Sequence, residues 1–367
     1  MGLYLFIAFL LLFGLCAELS AKRKRAQITA ENSLLPRENR RTRFQTLFFV
    51  AVLFTLWFLT AFRSPNMGND TKNYVGYFNS ISAFGTNPNF YIEMGYQIFN
   101  LIVSKISTDP HFFLAVVATV CYVGTGVYIY KYADNVVFST ILVFPISFAF
   151  FASGLRQAIA MVICLYAYQA IKNKKLVLAF ILIALASSFH ASAWIMLPLF
   201  LHRFIPKKPF LVVSIFGIFV ALSLTGVMDN VFAVLMGEYG KYYESQIMTD
   251  GWLGITYYCL RNLVFYIIVH YSYRQKIKEN SLVMALFSML LITVAFGFSL
   301  TLFDRATNYF LLISSVELPN AIHRGKIHNK RLIAFLVVFV MVLYFLVTLI
   351  ARPQWFNLYP YEFYWNY

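Results

Sequence analysis

The chain has 367 residues, of which 60% are hydrophobic, 19% aromatic and only 12% charged. A soluble globular domain carries about 25% charged residues, so the composition excludes an ordinary soluble protein. The formal net charge of +15 does not mark a nucleic-acid binder, because the basic residues sit in short stretches between apolar runs, where membrane topology accounts for them.

Apolar runs of about 20 residues, the length of a bilayer-spanning helix, recur from end to end. The sequence predicts an all-α, polytopic membrane protein forming a single integral membrane domain over 1–367. The opening stretch "MGLYLFIAFLLLFGLCAELSAKRKR" carries its positive charges after the apolar run, and no small-residue cleavage site ends it. It therefore reads as a retained helix rather than a signal peptide. Crossing segments then fall near 2–19, 44–62, 110–131, 136–152, 156–171, 176–189, 191–205, 209–228, 253–272, 281–302, 306–322 and 332–350, about twelve in all. Segment 94–107 is a further candidate, either re-entrant or lying at the interface.

The run "LVLAFILIALASSFHASAWIMLPLFLHRF" is too short for two full crossings at 1.5 Å per residue. Its polar middle, "SSFHAS", splits it into two short helices. That reading preserves the charge parity of the loops, and it brings His190 to the level of Arg156. The loops it assigns to the cytoplasm hold 22 of the 30 Lys and Arg residues, with the basic loop at about 20–43 dominating. An even number of crossings with this bias puts both termini outside. The outer side then carries the two longest loops, about 63–109 and 229–252. Cys16, Cys121, Cys164 and Cys259 lie in apolar segments without paired spacing, so neither a disulfide framework nor a zinc site is implied.

Candidate functional residues follow in chain order. In "MGNDTKNYVGYF", Asp70, Tyr74 and Tyr77 fall at the spacing of one helix face. One carboxylate and two aromatic hydroxyls there suit sugar binding; a helix-end charge with belt aromatics is the structural alternative. Glu93 in "YIEMGYQIFN" poses the same choice. Arg156 follows "SG" between two apolar segments, where burying a guanidinium costs roughly 2.5–3.5 kcal/mol even on a lenient insertion scale. It is a candidate for holding a phosphate or carboxylate through two parallel hydrogen bonds. The alternative is a structural ion pair, with Asp304 for instance. His190 in "SSFHASAW" is a proton acceptor or donor to a bound group, or a packing residue bonded to a neighbouring helix. Asp304 and Arg305 open "DRATNYF" at an outer helix end. Asp304 suits a cap there, whereas Arg305 opposes the helix dipole. The aromatic stretches 238–245 and 354–367 read as headgroup-level anchors. No P-loop, Rossmann fingerprint, HExxH or GxSxG motif is present.

Taken in order, these landmarks resemble the EpsG family, a branch of the Wzy-like bacterial polysaccharide polymerases. They are "D…NY…YF" (Asp70, Tyr74, Tyr77), "E.GY…N" (Glu93 to Asn100), "SGLRQAIA" (Ser153 to Ala160), "FH.SA" (Phe189 to Ala193), "R…YF" (Arg305, Tyr309, Phe310) and a "YPY" tail (Tyr359 to Tyr361). The resemblance implies a fold like the integral-membrane glycosyltransferases, in the bacterial inner (cytoplasmic) membrane. It implies an activity that joins undecaprenyl-diphosphate-linked oligosaccharide repeat units on the outer face, for capsule, exopolysaccharide or O-antigen.

On that basis Arg156 and Arg305 are expected to stabilise the diphosphate leaving group, so that neither a metal nor another cofactor is required. Asp70, Glu93 and His190 are the candidate bases for the acceptor hydroxyl; His190 is favoured because its ordinary pKa suits the task. Asp70 with Tyr74 and Tyr77 would position the acceptor. Glu93, Gln157 and Tyr309 would add substrate contacts. Expected partners are the lipid-linked glycans, the bilayer, and a chain-length regulator and flippase of the same pathway, with no nucleic acid. The alternative functions are a lipid-linked oligosaccharide flippase or transporter and an O-antigen ligase.

Overall fold

The computed structural model describes residues 1–31, 42–89, 92–228, 230, 251–298 and 301–366, and within them the side chains of all but 21–31, 251–253, 298 and 301–304. Most of the expected loops 20–43 and 229–252 lies outside the described residues. Among the described residues the regular structure is helical, with one isolated bridge between Arg63 and Phe363 and no strand. The chain is an all-α polytopic membrane protein. Among the described residues, five helical segments are long and apolar enough to cross a bilayer: Gly2–Ser20, Arg43–Ala61, Pro110–Tyr132, Val136–Ser153 and Lys330–Ala351. The chain divides into two compact units, Met1–Val162 with His328–Tyr367, and Ile163–Ile327.

In the first unit, α1 (Gly2–Glu31), α2 (Arg43–Ala61), α5 (Pro110–Tyr132) and α13 (Lys330–Ala351) pack around α6 (Val136–Ser153). Fifteen of the eighteen residues of α6 are buried, so this helix keeps no face for lipid. Its buried hydroxyls are satisfied within the helix, Thr140 on Val136 O and Ser147 on Val143 O. The outer helices invert the soluble pattern. On α13, Leu332, Leu336, Phe339, Val340, Leu343, Val347 and Ile350 form an exposed apolar stripe, which is stable only against hydrocarbon. α2 opens on a capping box: Gln45 N donates to Thr42 Oγ1 at 3.1 Å and Thr42 N to Gln45 Oε1 at 2.9 Å.

Two short helices, α3 (Thr71–Phe84) and α4 (Met94–Ser104), pack on each other and on α5. At eleven residues α4 is about 16 Å long, far less than a bilayer core.

The C-terminal segment straps the loop that leads into α3. Tyr361 Oη donates to Leu59 O at 2.5 Å, Ser64 N to Glu362 O at 2.9 Å, Gly68 N to Asn357 O at 2.9 Å and Asn357 Nδ2 to Asn66 O at 2.8 Å. Tyr4 Oη from α1 bonds Leu358 O at 2.6 Å, which fastens the strap from a third side. Gly68 is required here on two counts. Its φ is +85°, and a Cβ would stand 2.6 Å from Ala152 O. Arg63 lies fully buried under the strap; its Nη1 donates to Thr60 O, and burial lowers its pKa to about 10 despite the nearby Tyr361.

In the second unit, α8 (Leu176–Phe189) is followed by a 3₁₀ helix, Ala191–Leu201. The rings of Phe180 and Trp194 stand 6.1 Å apart, so the chain doubles back at His190. This is the pair of short helices that "SSFHAS" predicts, with one difference: the second is 3₁₀, whose 2.0 Å rise makes eleven residues about 22 Å long. The remaining helices are α9 (Pro209–Leu224), α10 (Gly251–Tyr273), α11 (Ser281–Ala295) and α12 (Thr301–Arg324). The expected crossing 281–302 is corrected: α11 ends at Ala295 and a 3₁₀ turn, Phe296–Phe298, follows. Gly297, with its low helix propensity, sits in that turn. α12 accordingly starts at Thr301, which puts Arg305 in the second turn rather than at the helix end. Within this unit Lys172 Nζ bonds the buried Glu317 carboxylate at 2.5 Å.

Removing the strap tests its role. Truncation after Arg352 should raise amide hydrogen exchange across residues 62–74 while α5 and α6 stay protected. Uniform protection in the truncated chain would show that the 62–74 loop stands without it.

Candidate functional site

α6 ends at Ser153, and Gly154 forms its C-cap before α7 (Leu155–Lys172) begins. Gly154 is confined, since a Cβ would meet the Phe150 ring at 2.8 Å. The break puts Arg156 in the first turn of α7. A cation at a helix N-terminus is unfavourable on its own, and the chain compensates with a carboxylate from far upstream. Arg156 Nη1 donates to Glu93 Oε2 at 2.5 Å. The two side chains are 20% and 21% exposed, so the pair is mostly dry yet open on one side. The guanidinium also lies 5.9 Å from the Tyr74 ring centroid.

Glu93 is held in register by its neighbours. It is the N-cap residue of α4. Gln97, buried on the first turn, receives the Asn87 amide on Oε1 at 2.8 Å and donates Nε2 to Ile92 O at 2.8 Å and Asn87 O at 3.1 Å. That side chain stitches the loop ahead of α4 to the helix. Tyr96 packs edge-on to Tyr74 with ring centroids 5.9 Å apart. Tyr96 is fully buried, and burial, with Tyr74 alongside, pushes its phenol well above the ordinary range. It therefore stays protonated.

The first unit thus gathers Arg156, Glu93 and Tyr74, with Tyr77 reached through the Tyr74 ring at 6.3 Å. Asp70 stands at the N-cap of α3, one turn before Tyr74, and makes no side-chain capping bond. Gln157, next to Arg156, is buried. Arg156 pairs with Glu93, and the side chain of the other partner considered for it, Asp304, lies outside the described residues.

In the second unit, His190 and Tyr309 are joined by Ser192. His190 Nδ1 and Ser192 Oγ are 2.6 Å apart, and Ser192 Oγ donates to Tyr309 Oη at 3.1 Å. With its proton directed at Tyr309, the serine oxygen accepts from His190 Nδ1–H, so Nε2 is the basic nitrogen of the ring. Arg305 is exposed on α12, one turn before the buried Tyr309. Among the described residues no three His, Cys, Asp or Glu side chains converge as a metal site.

Gln97 is the residue that sequence reasoning passes over; it acts on loop backbone and has no spacing signature. Tyr96 and Ser192 were visible inside "E.GY…N" and "FH.SA", but only as parts of motifs.

Helices with lipid-facing stripes and an ion-paired arginine at a helix break define the class: a helical membrane protein with an arginine–glutamate pair at its helix break. The sequence profile of the EpsG family matches residues 46–363, and the chain belongs to that family. Membership points to a membrane protein of polysaccharide biosynthesis. No curated protein and no solved structure gives a significant match.

Glu93→Gln removes the counter-charge while keeping the shape. It should lower stability by about 1–3 kcal/mol, the range for breaking a hydrogen bond to a charged group, read as a lower melting temperature in detergent. An unchanged melt would show that solvent already screens the pair.

Proposed function

We propose that this chain is a metal-independent glycosyltransferase that polymerises lipid-linked repeat units at the outer face of the bacterial cytoplasmic membrane. The donor is a glycan on undecaprenyl diphosphate, and the acceptor is a sugar hydroxyl of another lipid-linked unit. The bond between the anomeric carbon and the phosphate oxygen breaks, a bond from that carbon to the acceptor oxygen forms, and the acceptor proton goes to a base. The free lipid diphosphate leaves with the bonding electron pair.

The observation that carries this reading is the Arg156 centre: a guanidinium held in advance by Glu93 and the Tyr74 ring, and open on one side. A fixed cation aimed at developing negative charge needs no reorganisation during reaction. Glu93 engaged with Arg156 is better suited to holding the arginine than to taking a proton. His190 is the better base, with Ser192 fixing its tautomer so that Nε2 accepts. Asp70, Tyr74 and Tyr77 suit the acceptor sugar, through hydroxyl bonding and ring contact. Arg305, exposed on α12, is proposed as a further cation for the diphosphate, and Gln157 and Tyr309 as supporting contacts.

The test supplies purified protein with lipid-linked repeat units and no ATP, and follows the length of the glycans. The wild type should build a ladder. Arg156→Ala should slow it by roughly 10²–10³, the effect of removing one preorganised donor, at unchanged expression. A full-rate ladder from Arg156→Ala would remove that residue from the reaction. Movement of the lipid-linked unit across vesicles without any ladder would favour the transporter.

A further inference from the structure

α10 (Gly251–Tyr273) carries a second arginine, in its middle. Arg261 is the eleventh of 23 residues, so its Cα lies about 15–18 Å from either helix end. Leu260, Val264, Ile267 and Tyr271 recur on the same helix as an outward-facing stripe, 57%, 48%, 42% and 54% exposed. A stripe of that kind lies against hydrocarbon, and it begins one residue before Arg261, which therefore stands at its edge. An arginine at that edge is placed to meet an anionic headgroup.

Among the described residues nothing neutralises this guanidinium. Arg261 Nε donates to Asn262 Oδ1 at 3.0 Å, and Asn262, fully buried, is itself fixed by Nδ2 on Leu290 O at 3.0 Å. The guanidinium carbon stands 4.9 Å from the Tyr258 ring centroid and 5.8 Å from that of Tyr257. Tyr258 in turn packs on Ile255, Cys259 and Val294. These contacts fix one edge and one face of the group. Among the described residues no carboxylate lies within ion-pair distance of Arg261, and its two Nη groups have no protein acceptor. Arg156 differs, since Glu93 already neutralises it. The free edge of Arg261 is the two-nitrogen fork that matches a phosphoryl group bidentately.

We infer that Arg261 binds the phosphoryl headgroup of a polyprenyl-linked substrate, as an anion site within the second unit. The inference rests on the polymerase reading in one respect: that reaction uses two lipid-linked substrates, each bearing a diphosphate. The ligand enters with a lipid, because a fork at the edge of a hydrocarbon-facing stripe lies beside the headgroup of an anion tethered to a chain in the bilayer.

Native mass spectrometry of the full chain tests this without turnover, using undecaprenyl diphosphate, phosphatidylglycerol and soluble pyrophosphate as probes. The wild type should retain two undecaprenyl diphosphates. Arg261→Gln should retain one, with the affinity at the lost site down roughly tenfold or more and the melting temperature unchanged. Arg261→Lys keeps the charge but not the fork and should bind in between, and it decides the matter if Arg261→Gln does not fold. Equal retention by wild type and Arg261→Lys in that case, or by wild type and Arg261→Gln otherwise, overturns the site. Displacement by equimolar phosphatidylglycerol or by pyrophosphate would assign the fork to general lipid or to free anion, and also overturns it. A chain that retains two lipids through Arg261 yet makes no ladder contradicts the polymerase reading and leaves the anion site standing. A ladder with Arg261-independent binding contradicts the site alone.

Discussion

A guanidinium placed at a break between two apolar helices is costly unless a partner meets it. Here the carboxylate is Glu93, which approaches Arg156 to 2.5 Å from 63 residues away in the chain. In surroundings of reduced dielectric such a contact is strong, and losing one partner is far worse than never having had the pair. Glu93 must therefore be presented at a fixed height and angle. The short helix Met94–Ser104 and the loop ahead of it, stitched by Gln97, do this. The pair thus dictates why an eleven-residue helix, too short to cross anything, is packed where it is.

The same demand explains the C-terminal strap. Tyr74 is useful to Arg156 only if α3 starts at the right place, and α3 starts where the loop at 62–70 delivers it. That loop is pinned on one side by Thr71 Oγ1 donating to Ala152 O at 3.1 Å and on the other by the tail through Asn357 and Glu362. The last fifteen residues are rich in aromatics, and Trp365 is 54% exposed. Their backbone hydrogen bonds serve the inside of the first unit. Burying Arg63 beneath them is unfavourable in itself, as its lowered pKa indicates.

Much of this was legible in the sequence. Each of the twelve apolar segments overlaps helical structure among the described residues, and five of them are long and apolar enough to cross a bilayer. Arg156, His190 and Glu93 stood out because charge in an apolar run is costly wherever it falls. The pairing of Arg156 with Glu93 was hidden, since a contact across 63 residues leaves no spacing pattern. The 3₁₀ form of Ala191–Leu201 and the early end of α11 were also hidden. Both depend on local backbone choices close in energy, which tertiary packing decides. Arg261 was in plain view inside an apolar helix, but it took the missing carboxylate to give it meaning.

The central claim is that Arg156 is held for a ligand and not merely for the fold. Exchanging the charges, Arg156→Glu together with Glu93→Arg, separates the two. The exchanged pair should recover the melting temperature that either single change loses, while polymer synthesis stays absent because the cation no longer heads α7. Recovery of both melting temperature and glycan ladder would contradict the account and leave a purely structural ion pair.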